Sequence, residues 1–183
     1  MDNDTLEVPD FCTKPTLILG CGNILFGDDG FGCAVVDFLE AQGQVPEEVC
    51  LADTGTGVRK ILFTLCLSPV RPRRLLIVDA FDAGRRPGQV FEIDPSEIPA
   101  VKIDDFSMHQ LPTSNLLREL QQEAGIEVRV LACQTEELPE QIEMGLSEAV
   151  RSAVPRAAEW IASEYFGAAR QARAGGEQWN ASA

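Results

Sequence analysis

The segment Leu17-Ile18-Leu19-Gly20-Cys21-Gly22-Asn23-Ile24-Leu25-Phe26-Gly27-Asp28-Asp29-Gly30-Phe31-Gly32 constrains the fold more than any other part of this chain. Thr16 to Gly20 is a short apolar run that stops at glycine, the pattern of a central parallel strand buried on both faces. A glycine-rich turn then delivers two adjacent carboxylates. From Asp29 onward, Phe31, Ala34, Val35, Phe38 and Leu39 recur at helical spacing, and Gly43 marks the stop. Such a strand, turn and helix belong to an open α/β sheet, whose ligands bind outside the carboxyl ends of the strands. Carboxylates at that place favour a cation over a phosphate. Asp28 or Asp29 is also expected to cap the helix and complement the positive end of its dipole.

The remainder of the chain repeats this alternation. Val49–Asp53 reads as a strand, followed by Thr54-Gly55-Thr56-Gly57 and a helical face of Val58, Ile61, Leu62 and Leu65. Arg74–Ala80 is the clearest strand, and Gln89–Asp94 is a short further one closed by Asp94-Pro95. Residues 99–112 show no period and are expected to form a long loop carrying His109. A helix from Ser114 to about Ala124 precedes a last strand, Glu127–Cys133. A final helix runs roughly from Ser147 to Tyr165, where Pro155 predicts a kink or a later start. Strands and helices alternating at these lengths predict a three-layer α/β sandwich with a mostly parallel central sheet flanked by helices. The 183 residues suit a flexible N-terminal arm over 1–14, a single domain over 15–166 and a disordered tail over 167–183.

Charge narrows the range of partners. Against 15 basic residues stand 29 acidic ones, a net charge of −14, so nucleic acid and anionic membranes are poor partners. No apolar run approaches the roughly 18 residues of a spanning helix. Met1-Asp2-Asn3-Asp4 is acidic where a secretory signal would be basic. Six scattered cysteines form no C-x-x-C pair, and several fall within apolar patterns where a free thiol packs as a small hydrophobe. A reduced, cytoplasmic protein is expected rather than a disulfide framework.

Four residues could carry chemistry: Asp29, Asp53, Asp79 and the single histidine, His109. The strand ends of a parallel sheet share one edge, so side chains leaving them converge. Imidazole and carboxylate together suit a borderline divalent metal, and one histidine with two carboxylates leaves positions open for water or substrate. Taken singly, each has a plainer explanation: an aspartate capping a helix or loop, a histidine facing solvent. Gly20-Cys21-Gly22 opens like a dinucleotide loop, but its sixth position is Leu25, and the following carboxylates would repel a pyrophosphate. The Asp-Asp-Gly piece lacks EF-hand spacing. No G-x-S-x-G elbow is present. Cys21 and Cys33 flank the turn as conceivable nucleophiles, although Cys33 falls in a packing position.

With these motifs in order, the chain resembles the hydrogenase maturation proteases, which process the large subunit of nickel–iron hydrogenases. The resemblance rests on the segment from Gly20 to Gly32, Asp53-Thr54-Gly55-Thr56-Gly57, Leu76-Ile77-Val78-Asp79-Ala80 and His109-Gln110, and spans about residues 16–165. Ile77-Val78-Asp79-Ala80, Pro87-Gly88 and Ile93-Asp94-Pro95 look most like the branch serving formate-hydrogenlyase or coenzyme F420-reducing hydrogenases. The resemblance implies an endopeptidase that removes a C-terminal extension from the large-subunit precursor after nickel insertion. It implies Asp29, Asp79 and His109 as the catalytic and metal-contacting residues, the metal being nickel held by the substrate, with no organic cofactor. Asp28 becomes a helix-start or supporting group. Aspartate at position 29 departs from members with glutamate, and Asp53-Thr54-Gly55 from the usual Asp-Gly-Gly of a loop taken to shape the cleft. On this reading the glycines of the first motif give clearance for the partner's metal-bearing tail. A nickel-binding assembly chaperone that docks on the precursor without cutting it is the competing reading.

Overall fold

The computed structural model describes residues 8–95 and 114–167. Its elements are α1 (Asp10–Thr13), β1 (Thr16–Cys21), α2 (Phe31–Ala41), β2 (Val49–Gly55), α3 (Val58–Leu67), β3 (Arg74–Phe81), β4 (Val90–Ile93), α4 (Ser114–Gln122), β5 (Glu127–Gln134), α5 (Glu148–Arg151) and α6 (Val154–Ile161). The strands form one five-stranded sheet in the order β2-β1-β3-β5-β4. Four strands run parallel, and β4 pairs antiparallel with β5 as an edge.

Parity along the strands builds the three layers. Side chains alternate across a strand. Ile18, Leu76 and Val78 therefore enter one core with Phe31, Val35, Ala157 and Ile161 from α2 and α6. Leu17, Leu19, Leu75 and Ile77 enter the other, beneath Leu62, Leu65, Leu117 and Leu120 of α3 and α4. Both faces of β1 and β3 are thus covered, which is why their sequences read as unbroken apolar runs.

Three expectations change. The arm over 1–14 is not loose in its second half: residues 10–13 form a helical turn, and Cys12 is fully buried against the second core. The first seven residues and the tail from 168 lie outside the described residues. The helix expected from Ser147 to Tyr165 is divided into α5, α6 and a π-turn over Ala162–Phe166. Pro155 sits in the first turn of α6, where its missing N–H costs nothing. Finally, neither Asp28 nor Asp29 caps α2. Its N-cap is Gly30, with no side-chain cap, because a 3-10 turn over Gly27–Gly30 is inserted ahead of the helix.

Candidate active site

The chain moves from β1 to β2 on one side and then crosses back to β3 on the other. The carboxyl ends of β1 and β3 consequently flank the topological switch point, the usual ligand crevice of such sheets. Asp79 is the sixth residue of β3, and Asp29 lies in the 3-10 turn after β1. Both side chains are buried, 7% and 9% exposed.

Their surroundings set the electrostatics. Asp29 Oδ2 accepts the Asn23 N–H at 2.8 Å, and Asp79 Oδ1 accepts the N–H of Ala80 at 2.9 Å. Burial, with the Asp29 charge beside it, pushes the Asp79 carboxyl up to about 8. At neutral pH this disfavours charge on both carboxylates and favours a proton or a cation at Asp79. The structure brings Asp29 and Asp79 together in this way. His109 lies outside the described residues, and among those described no group of three or more His, Cys, Asp or Glu is placed to hold a metal.

The glycines have a different task from the clearance expected of them. A Cβ on Gly32 would lie 2.1 Å from Val78 O and 2.4 Å from Cys21 O. Gly22, at φ +122°, would place one 1.7 Å from Asp29 O. These positions let α2 and the Asp29 turn press onto the β1 and β3 backbones, bringing Asp29 down to Asp79. The space they leave is filled by the protein itself.

Asp53 is exposed, and its Oδ1 accepts the Gly55 N–H at 2.8 Å, so it shapes its own turn. Thr54 faces inward: its Oγ1 donates to Gly20 O at 2.8 Å and lies 3.5 Å from Cys21 Sγ. This threonine ties β2 to β1. Cysteine nucleophiles are disfavoured, since burial raises the Cys21 thiol well above its usual range, and burial with Asp53 nearby pushes Cys33 up to about 12. All six cysteines are free thiols.

Of two supporting residues, Gln134 escaped the sequence reading, while Asp28 was expected to support the site without a named partner. Gln134, at the end of β5, accepts from Ala83 N and Arg85 N and donates to Asp82 Oδ1, fixing the loop that follows Asp79. Asp28 is 1% exposed and accepts from Glu136 N (2.8 Å), Ser147 N (2.7 Å) and Ser147 Oγ (3.0 Å). It staples the turn to a segment more than a hundred residues away. No local pattern announces either role.

The doubly wound α/β sheet that carries Asp29 and Asp79 has solved counterparts among endopeptidases. The hydrogenase maturating endopeptidase HybD from E. coli shares the fold, with a TM-score of 0.65 at 26% identity over 84% of this chain and 93% of that one. The hydrogenase maturation protease family model matches residues 33–164. A Methanocaldococcus jannaschii protein assigned as a hydrogenase maturation protease is 42% identical, covering 82% of this chain and 96% of its own length. The coenzyme F420 hydrogenase subunit delta of Methanothermobacter thermautotrophicus is 36% identical, covering 81% and 92% respectively. The chain belongs to the hydrogenase maturation protease family, and it is an endopeptidase.

Proposed function

We propose that this endopeptidase removes the C-terminal extension of a nickel–iron hydrogenase large-subunit precursor, and that Asp29, Asp79 and His109 contact the nickel ion the precursor carries. The observation that carries this reading is the buried Asp29–Asp79 pair, in which burial and mutual repulsion favour a proton or an incoming cation at Asp79. Carboxylate oxygens and an imidazole nitrogen suit a borderline metal. The chain path supports the histidine as third donor. α4 precedes β5, whose first residue pairs with Arg74 at the start of β3, so the N-terminus of α4 faces the carboxyl edge of the sheet. His109 is five residues ahead of Ser114 in the sequence.

On this reading a precursor without nickel presents no cation to the pair, and cleavage waits for metal loading. The site's residues then hold the metal-bearing tail so that the scissile bond is fixed relative to it. The relative named for coenzyme F420 hydrogenase supports a substrate of that hydrogenase branch. Free thiols and the absence of a long apolar helix among the described residues support action in the cytoplasm.

The test is the mass of purified precursor after incubation with the protein. Nickel-loaded precursor should lose its extension and metal-free precursor should not. His109→Ala should abolish the shift with its circular dichroism unchanged. Equal cleavage of both precursors would remove metal sensing, and tight binding without any mass change would favour the chaperone reading.

A further inference from the structure

Beside the carboxylate pair, two segments remote in sequence are laced into one surface. Glu143 N donates to Leu25 O at 2.9 Å and Gly27 N to Glu143 O at 2.7 Å, a parallel bridge centred on Phe26 and Glu143. Asp28 ties the same segments together again through Glu136 and Ser147. The bridge register sets Leu25 alongside Ile142. Yet this braced surface exposes large apolar side chains: Ile142 is 70% exposed, Met144 67% and Ile24 54%. Exposed apolar side chains flanking a hydrogen-bonded bridge suit an interaction surface. Next to them opens a cavity of about 680 Å³ lined by Asp28, Glu136, Glu137, Glu140, Glu143 and Met144. Arg151 also lines it and is paired with Glu148.

We infer that this patch docks the substrate precursor through a segment in which Lys or Arg alternates with apolar side chains. The identity of the partner rests on the proposed function; the chemistry of the segment rests on the patch. Exposed glutamates attract basic side chains, while Ile142, Met144 and Ile24 bury their apolar neighbours. A second copy is a poor occupant, because a two-fold contact through this face would set its glutamates against each other. The patch also adjoins the site: Leu25 is four residues from Asp29, and Asp28 lines the cavity. A segment held here therefore delivers its neighbouring tail to the carboxylates.

The experiment uses the full chain and purified precursor, with binding and cleavage measured separately. Ile142→Glu/Met144→Glu and Glu137→Lys/Glu140→Lys change exposed side chains, so melting temperatures should match the parent. Each pair should raise the precursor Kd and KM about tenfold or more while kcat stays within about twofold. Parent binding should weaken with added salt. Unchanged Kd and KM in both variants would overturn the docking surface, whether or not the parent cleaves. A parent that binds but does not cleave, with binding weakened in the variants, would keep the docking surface and remove the protease–substrate reading. A parent that neither binds nor cleaves overturns both. Variants that lose only self-association by sedimentation would reassign the face to copies of this chain.

Discussion

Asp28 and Asp79 are both nearly sealed from solvent, yet their surroundings are opposite. Asp28 sits in a nest of donors, two backbone N–H groups and a hydroxyl, that knots the β1–α2 turn to residues 136–147. Asp79 accepts from the Ala80 N–H among the described residues and faces the Asp29 charge. A buried carboxylate with its donors supplied is a fastener. One beside a like charge favours a proton or a cation, and such perturbed groups cluster at functional sites. Sequence neighbours Asp28 and Asp29 thus fall on different sides of this divide.

The largest expected effect tests the Asp79 side. Asp79→Asn or Asp29→Asn should lower processing a hundred- to a thousandfold, about 3–4 kcal/mol in the barrier, with the fold retained. Near-parental activity in either variant, measured on nickel-loaded precursor, would break the contrast. Next comes the fastener. Asp28→Ala leaves three donors without their acceptor and should cost about 2–3 kcal/mol of stability, read from the denaturation midpoint. A full recovery of stability in Asp28→Asn would show that the charge contributes nothing to the knot.

Read per pH unit, the remaining effect is the smallest step and the sharpest test. Asp79 is pushed up to about 8 in the folded chain, far above an unfolded aspartate. Between those two values the folded state holds the extra proton, so the contribution of this group to stability is greatest at acid pH and falls as pH rises toward 8. The loss from this group is about 1.4 kcal/mol per pH unit inside that window and nothing above it. Asp79→Asn should flatten that part of the profile, as followed by urea titrations from pH 5 to about 9. An unchanged slope would mean that Asp79 is not held protonated.

How much of this was legible in the chain differs from residue to residue, for physical reasons. β1 and β3 were readable because central strands covered on both faces read as near-continuous apolar runs, and β5 because Val130–Cys133 does. Asp79 was readable because it interrupts such a run at its carboxyl end. The antiparallel sense of β4 was not, since four residues carry no sign of direction. Gln134, and the partners of the supporting Asp28, were invisible because each acts on backbone far away in sequence. The glycines were recognised as important but assigned to the wrong neighbour. Glycine reports that something comes close, not what it is.

By itself, the sequence determined the α/β alternation, the strand ends where carboxylates emerge and the family those motifs resemble, because local periodicity and spacing suffice for each. The resemblance already put Asp29 in the site and Asp28 in support; tertiary structure alone decided that Asp28 fastens a remote segment and that Asp29 lies against Asp79. Those outcomes depend on donors brought from residues 136–147 and on a like charge brought from the next strand. Neither exists until the sheet has formed.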